Sequence, residues 1–416
     1  MNNNIIKRLF PLLLLLPAVF SACNEETPGK YEMTDGVPTV YYIRPQSASA
    51  ADSLLTGAYM AENICIVGDN LTSVQEVWFN DQKALLNINF ITNNTLLVTV
   101  PNKIPTVRTD KIYFVTGQKD TVAYDFIVRM PGPIFKKFKC EWTPAGQLAE
   151  ITGDYFFNDT PLELSIGGVK IPTENIVSVD KTTIVFVAPE ESVSGEATIK
   201  TEYGNVKSKD IFRDDRGWIT GFEPGFVGGW GRPAESQFKS DPAYAIKGRY
   251  CELSGTVGIS GSWVGGIATL YANVWGEDNG VPAGNLFPSD PETSILKMEV
   301  NVLTPWSAGP MIFCFFAQGG YENWLWADGT AAGGGQPRGY WVPWLETGSY
   351  VSDGWITISV PLKDCKYNGF GTAIDISTAY GALGFGIHNR GNDAYVGTAE
   401  CSPVILVDNI RVVPGE

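Results

Sequence analysis

The sequence predicts an all-β protein in which two small tandem sandwiches precede a larger, jelly-roll-like β-sandwich. No long stretch has the periodicity of an amphipathic helix. Short runs of β-branched and aromatic residues alternate instead with turns rich in Gly, Asn, Asp and Pro, as in ENICIVG, TLLVTV and KIYFVTG. The chain has 416 residues, too many for one small core, so several domains are expected.

The first two sandwiches are predicted over residues 37–130 and 131–214, because the second segment repeats the first. Gly68-Asp69-Asn70 in the first segment is matched by Gly153-Asp154-Tyr155 in the second. The boundary follows from the prolines at 131 and 133, which cannot both continue a central strand. These repeated residues serve turns and core, so the expected role of both sandwiches is spacing.

The third domain is predicted over residues 215–416, where the composition changes. Ten of the twelve tryptophans lie in this segment, which opens with WITGFEPGFVGGW and closes with VILVDNIRVV. Jelly-roll sandwiches often pair their first and last strands. That pairing would bring Glu223 near Asp408, so a structural calcium ion is a candidate there; no other metal or cofactor is expected.

The N-terminus has the pattern of a lipoprotein export signal. Lys7 and Arg8 precede the apolar run FPLLLLLPAVF, which is too short to span a bilayer comfortably. Phe20-Ser21-Ala22-Cys23 resembles a lipobox, which implies a signal peptide over 1–22 and a lipid on Cys23. Residues 23–36 would then form a polar tether. The alternative is an ordinary secretory signal followed by an incidental cysteine.

Charge and cysteine content exclude some classes of function. The formal net charge is −15, whereas a nucleic-acid binder needs a basic face, so DNA and RNA are not expected partners. His388 is the only histidine and no CxxC occurs, which argues against a zinc site. Cysteines in apolar runs are predicted to be buried free thiols, with a Cys365–Cys401 disulfide as the open alternative.

Eight aromatic residues lie between Tyr321 and Trp355, beside a Gly-rich stretch. Flat, rigid rings next to such a stretch suit a surface that stacks on a sugar ring. Trp324 and Trp326 would face the same side of a strand, roughly 7 Å apart, unless both pack into the core. Asn323 is a candidate to hydrogen-bond sugar hydroxyls.

The end of the aromatic run supplies further candidates. Tyr340 and Trp341 alternate to opposite faces of an extended chain, which leaves one of them to be exposed. Trp344 follows Pro343 and is either a platform or a packing residue. Arg338 is a second candidate to hydrogen-bond sugar hydroxyls.

Two segments resemble known families. VGDNLTSVQEVWFNDQKA is similar to IPT/TIG immunoglobulin-like domains, and the second repeat is a more divergent copy. With a lipobox and PWLETGSYVSDGWITISVPL, the chain resembles the SGBP-B type of Bacteroidota surface glycan-binding lipoprotein over essentially its whole mature length. The acidic cluster after Cys23 is similar to the surface-export signal of such lipoproteins.

That resemblance implies a location, a ligand and partners. Its members bind polysaccharide at the surface of the outer membrane and deliver it to an outer-membrane importer, without enzymatic activity. Xyloglucan or another neutral β-glucan is the implied ligand here. The resemblance also implies a structural role for Trp355.

Two other classes remain as alternatives. A glycoside hydrolase would need two carboxylates across a cleft. Acidic residues occur near the aromatic run, but none lies in a catalytic motif, and GxSxG, HExxH and P-loop patterns are missing. An adhesin that binds another protein through its aromatic residues is the second alternative.

Overall fold

A computed structural model describes residues 33–50, 52–156, 162–224, 234–258, 270–272, 290–316, 337–368, 371–374, 382–387, 389 and 400–415. The regular structure of these residues is almost entirely β, which confirms the predicted fold class. Six short 3-10 turns separate strands within the described ranges, at Ala48–Ala50, Leu71–Ser73, Ile88–Phe90, Thr173–Asn175, Glu235–Gln237 and Leu362–Asp364. No helix in the described part of the chain is long and apolar enough to cross a membrane. The chain divides into two units, Met1–Pro131 and Gly132–Glu416.

The first unit is a small β-sandwich. One sheet has the strand order β1-β3-β6, the facing sheet has the order β5-β4-β7-β8, and β2 pairs in parallel with β9. Alternate apolar residues of both sheets point inward, and Ile64, Ile66, Val77 and Phe114 are completely buried between them. The strands are β1 (Thr39–Pro45), β2 (Gly57–Tyr59), β3 (Asn63–Asp69), β4 (Val74–Phe79), β5 (Gln82–Lys83), β6 (Thr95–Thr99), β7 (Lys111–Thr116), β8 (Thr121–Asp125) and β9 (Ile127–Arg129).

The second unit begins with another small sandwich. Its sheets have the orders β10-β11-β15-β14 and β13-β12-β16-β17, around a core that includes Ile151, Leu164, Phe186 and Phe212. The strands are β10 (Ile134–Phe138), β11 (Leu148–Asp154), β12 (Glu163–Ile166), β13 (Val169–Lys170), β14 (Ile176–Val179), β15 (Thr183–Val187), β16 (Gly195–Thr201) and β17 (Gly204–Phe212).

The repeat seen in the sequence corresponds to the same backbone turn in both small sandwiches. A Cβ on Gly68 would lie 1.9 Å from the Thr39 carbonyl oxygen, and one on Gly153 would lie 2.0 Å from the Ile134 carbonyl oxygen. Two residues later, Asn70 and Tyr155 have φ of 55° and 58°. Glycine is therefore required where the chain passes a neighbouring strand before a left-handed turn.

The rest of the second unit is the larger, C-terminal sandwich. One sheet has the order β19-β20-β27-β22-β25, and β18 also pairs with β27; the facing sheet has the order β21-β26-β23-β24. Trp218 of β18 lies opposite Arg411 of β27, which confirms the predicted pairing of the first and last strands. The strands are β18 (Trp218–Thr220), β19 (Phe238–Lys239), β20 (Tyr250–Ser254), β21 (Leu270–Ala272), β22 (Ile295–Val302), β23 (Met311–Phe316), β24 (Arg338–Trp341), β25 (Ile356–Pro361), β26 (Ala382–Ile387) and β27 (Val404–Val413).

A buried network of charges joins the second sandwich to the C-terminal sandwich. The Glu141 carboxylate accepts hydrogen bonds from Lys297 Nζ at 2.6 Å and from Arg411 Nη2 at 2.7 Å. Arg411 also donates to Glu299 at 2.8 and 3.0 Å, and Lys297 donates to Asp210 at 2.7 Å. These charges lie beneath the surface, because the side chains of Glu141, Lys297, Glu299 and Arg411 are each at most 4% exposed.

The pKa shifts in this network follow from burial and pairing. Burial raises the pKa of Glu299, and the Arg411 guanidinium opposes that rise. Burial alone would lower the pKa of Lys297, but Glu141 and Asp210 outweigh it and raise the value. Both cations are thus held in their charged form by carboxylates from two domains.

Apolar contacts and a backbone hydrogen bond continue this junction. Trp142 of the second sandwich packs against Trp218, with ring centroids 5.3 Å apart. The backbone N–H of Thr357 donates to the Lys139 carbonyl at 2.8 Å. Within the described residues of the second unit, the two sandwiches therefore share one continuous packed boundary.

The six cysteines of the described residues are all free thiols. Five of them are buried, which confirms the expectation of packed thiols, and Cys365 and Cys401 form no disulfide. Burial raises the pKa of the Cys365 thiol to about 12, so the residue packs as a neutral group.

Candidate functional site

The described part of the predicted aromatic site, residues 338–344, begins with β24 at one edge of the C-terminal sandwich. Antiparallel strands β23 and β24 are neighbours there, and residues 317–336 connect them. The described residues on either side of this segment are close together, since the Phe315 N–H donates to the Pro337 carbonyl at 3.1 Å. Trp324, Trp326 and Asn323 belong to the connection and lie outside the described residues.

Tyr340 and Trp341 on β24 face opposite sides of the sheet. A Cβ on Gly339 would lie 2.6 Å from Cys365 Sγ, which places that face against the core. By alternation Trp341 shares the core side, and its ring packs against Trp306 and Tyr350, with centroids 5.5 and 5.9 Å away. Tyr340 points to the other side and is partly exposed.

Burial corrects the predicted roles of Trp344 and Arg338. The Trp344 side chain is 7% exposed, belongs to the sandwich core and donates from Nε1 to the Gly309 carbonyl at 3.2 Å. Arg338 is 2% exposed. A sugar ring needs an open indole face and a sugar hydroxyl needs an accessible guanidinium, and neither residue presents such a surface.

Trp355 is part of the domain junction and not of an open platform. Its indole N–H donates to the Tyr244 carbonyl at 2.7 Å, and its ring meets Tyr250 edge to face with centroids 6.1 Å apart. The ring also packs against the small apolar cluster of Cys140, Trp142 and Ile246. These contacts confirm the structural role that the sequence implied.

A cleft of about 500 Å³ opens beside Trp355, between the second and the C-terminal sandwich. We call it the junction cleft. Its walls come from segments far apart in the sequence, so no local pattern could have predicted it. Its lining residues include Lys139, Gln147, Leu148, Glu150, Tyr244, Asn301 and Asp353.

No group of three or more His, Cys, Asp and Glu side chains is placed to hold a metal ion among the residues that the structure describes. The expected pair of Glu223 and Asp408 does lie at the β18–β27 end of the sandwich. Burial raises the pKa of Asp408 well above its ordinary value, and the charges of Glu299 and Glu223 add to that rise. Asp408 Oδ2 is buried and has no hydrogen-bond partner within the part of the chain that the structure describes.

Comparison with protein families gives a match over the C-terminal sandwich. Residues 212–414 match the family described as the surface glycan-binding protein B xyloglucan binding domain. The matched range begins with the last residue of β17 and includes all ten strands of the C-terminal sandwich.

Individual relatives extend this similarity to the rest of the chain. The crystal structure of surface glycan-binding protein PbSGBP-B from Prevotella bryantii is 31% identical; the match covers 92% of this chain and 100% of that one, with a TM-score of 0.66. An IPT/TIG domain-containing protein from Bacteroides ovatus is 29% identical over 160 residues, which is 36% of this chain. The match spans 31% of that relative's length.

Proposed function

Because the chain belongs to the SGBP-B family of surface glycan-binding proteins, we propose that its C-terminal sandwich captures a neutral polysaccharide without cleaving it. The observation that carries this proposal is the family match over that sandwich, in the domain that also holds ten of the twelve tryptophans. Glycan capture by aromatic stacking is consistent with that composition.

Xyloglucan or another neutral β-glucan is the ligand that we propose. The matching family is described as xyloglucan-binding. A formal net charge of −15 disfavours an acidic polysaccharide, whereas a neutral chain meets no such repulsion.

The proposed contact surface consists of Tyr340 together with Trp324, Trp326 and Asn323, which precede β24 in the sequence. Tyr340 is supported by its partial exposure on the face of β24 opposite the core. The other three are supported by the sequence pattern alone. One covered ring face contributes roughly 2 kcal/mol, and a micromolar complex needs about 8 kcal/mol, so several rings are required.

We also propose where the protein acts. A lipid on Cys23 would anchor the chain in the outer membrane, with residues 23–36 as a tether. The two small sandwiches would hold the glycan-binding domain away from the membrane, close to an outer-membrane importer that receives the glycan. The surface location of the family supports this arrangement.

The test is a panel of neutral polysaccharides in native affinity gels, with the wild-type protein and Trp326→Ala. Retention of the wild type by one β-glucan and its loss in Trp326→Ala are expected. Retention by none of the polysaccharides would contradict the proposal. Unchanged migration of the variant would remove Trp326 from the contact surface.

The same panel separates the two alternatives. Release of reducing sugar from the retained polysaccharide would indicate a hydrolase. No observation on the described residues favours that alternative. Binding to a surface protein without retention by any polysaccharide would indicate an adhesin.

A structural calcium ion at the end of the C-terminal sandwich is a further part of the proposal. Asp408 Oδ2 and the Glu223 carboxylate would be its side-chain ligands, since Ca²⁺ is bound by oxygen atoms. The support is an orphaned, buried carboxylate oxygen with a second carboxylate near enough to raise its pKa. The ion would offset the cost of that buried charge.

A further inference from the structure

We propose that the junction cleft is a second carbohydrate subsite, which binds one or two sugar units of the same neutral glycan. The proposal rests on the proposed function, because it assumes that the ligand is a polysaccharide. A volume of about 500 Å³ lies within the range of small-ligand sites.

The mouth of the junction cleft offers both kinds of surface that a sugar needs. Tyr244 is 39% exposed and Leu148 is 62% exposed, so an aromatic ring and an aliphatic side chain are open to the C–H faces of a sugar. Gln147 is also exposed there and has an amide suited to hydroxyl groups. The combination of apolar faces with a few polar groups is typical of carbohydrate and other small-ligand sites.

The floor of the junction cleft holds a buried amide with spare hydrogen-bonding capacity. Asn301 is only 5% exposed, and its Oδ1 accepts a hydrogen bond from Ser352 Oγ at 3.1 Å. The only side-chain hydrogen bond of Asn301 to another described residue is this one, and its Nδ2 is not among the fully buried side-chain atoms that lack a partner. This N–H group can therefore donate to water or to a ligand hydroxyl in the cleft.

The charges in the cleft favour a neutral ligand. Lys139 Nζ lies 2.8 Å from Asp353 Oδ2 and 3.7 Å from Glu150 Oε2, so the one lysine of the lining faces two carboxylates. An anion would meet those carboxylates, and a cation would have to compete with Lys139. A sugar hydroxyl can donate to the carboxylates without displacing the lysine.

The junction cleft is preformed, which lowers the entropic cost of filling it. The Thr357 N–H to Lys139 carbonyl bond and the buried Glu141–Arg411 pair hold its two walls together. A peptide occupant is less suited, because β11 pairs with β15 from Leu148 to Thr152 and with β10 from Ile151 to Asp154, and the Glu150 carbonyl accepts from the Lys139 N–H. Only the short edge at Leu148 and Ala149 is left for strand addition.

A polysaccharide that reaches both the contact surface and the junction cleft would bind as a bivalent ligand. Since both sites belong to the C-terminal sandwich and its fixed neighbour, a second contact raises the overall affinity by effective concentration. A short oligosaccharide that occupies one site at a time would not gain this advantage.

The experiment compares wild type, Tyr244→Ala and Trp326→Ala with the polysaccharide retained in the panel and with a tetrasaccharide of its backbone, cellotetraose for a β-1,4-glucan. Tyr244→Ala leaves the carbonyl that accepts from Trp355 in place, so it should fold normally. Tyr59→Ala is the matched control, because it removes a ring of similar exposure, 46%, from the first sandwich.

Tyr244→Ala is expected to weaken polysaccharide binding roughly thirtyfold, as for the loss of one covered ring face, whereas Tyr59→Ala should bind as wild type. Excess tetrasaccharide should slow hydrogen exchange of the segments 241–246 and 352–355 in wild type and in Trp326→Ala, but not in Tyr244→Ala. Wild-type affinity of Tyr244→Ala, with no protection of those segments, would overturn the subsite and leave the proposed function standing. A wild-type protein that binds no glycan would overturn both, and a cleft variant that loses only a protein partner would assign the cleft to that protein and not to sugar.

Discussion

Glu141 of the second sandwich and Arg411 of the last strand form an ion pair across a domain boundary, with Nη2 and Oε2 2.7 Å apart and both side chains buried. They are 270 positions apart in the chain. Such a pair costs much to desolvate, so its removal from one side leaves the partner charge buried and poorly compensated.

Glu141→Gln is therefore expected to destabilise the second unit by about 3 kcal/mol. The neutral amide keeps the shape of the side chain but removes one of the carboxylates that face Lys297 and Arg411. Urea unfolding with calorimetry would measure the loss and show whether the two sandwiches still unfold in one transition. Glu163→Gln, in an exposed pair with Lys170, is the control and should leave stability unchanged; an equal effect of both substitutions would contradict the assigned role of Glu141.

Tyr340→Ala and Trp344→Ala should have opposite consequences. The loss of the partly exposed Tyr340 ring should weaken glycan binding roughly thirtyfold with little change in melting temperature. The loss of the buried Trp344 indole should destabilise the sandwich by about 3 kcal/mol or more. Affinity gels and thermal unfolding of both variants distinguish a ligand-binding role from a packing role. A stable Trp344→Ala protein that no longer binds the glycan would instead assign Trp344 to the contact surface.

Gly68→Ala is expected to destabilise the first sandwich by roughly 1–3 kcal/mol without any effect on glycan binding. The added methyl group would lie 1.9 Å from the Thr39 carbonyl oxygen, so the strand must move. Leu85→Ala is the control, because that side chain is 94% exposed in the same sandwich. Reduced glycan retention by folded Gly68→Ala protein would mean that the first sandwich does more than act as a spacer.

Asp408→Asn is expected to melt at a higher temperature than wild type in EDTA and at a lower temperature than wild type in calcium. The folded protein holds the Asp408 proton more tightly than the unfolded chain, whose ordinary value is 3.8. The associated stability is present below that pH and is lost as pH rises through the higher folded pKa. In EDTA at pH 7 the variant should consequently melt higher than wild type, because it has no carboxyl group that must be protonated or buried as a charge on folding.

In calcium the order should change. Wild type should melt higher than in EDTA, whereas Asp408→Asn should not respond, because a neutral amide binds the ion weakly. Melting curves of both proteins in both buffers, with magnesium as the control ion, complete this test. A wild-type melting temperature that calcium does not alter would remove the ion from the proposal.

The parts of the fold that the sequence predicted depend on local patterns. Gly68-Asp69-Asn70 and its copy at 153–155 form the same turn. The sequence shows it because the close approach of a neighbouring strand requires a glycine, and the left-handed residue follows two positions later. Strand periodicity likewise placed Tyr340 and Trp341 on opposite faces.

The parts that the sequence could not predict depend on distant partners. Trp344 fits either role by its sequence, and its burial depends on the contact of its indole N–H with the Gly309 carbonyl, 35 residues away. The sequence offers Arg338 as a candidate to hydrogen-bond sugar hydroxyls, yet its side chain is buried. The junction cleft and the Glu141–Arg411 pair are formed by residues of two domains, so neither can be predicted from the pattern of one sequence segment.

The charge network at the junction also sets the smallest portion of this chain that can be transplanted. A fragment for display or fusion that starts near residue 215 would carry Lys297 and Arg411 but not Glu141 or Asp210, and would turn two buried cations towards solvent or a foreign neighbour. A fragment for display or fusion should therefore start at about Gly132, where the second unit begins. The second sandwich is thus an inseparable base for the glycan-binding domain as well as a spacer.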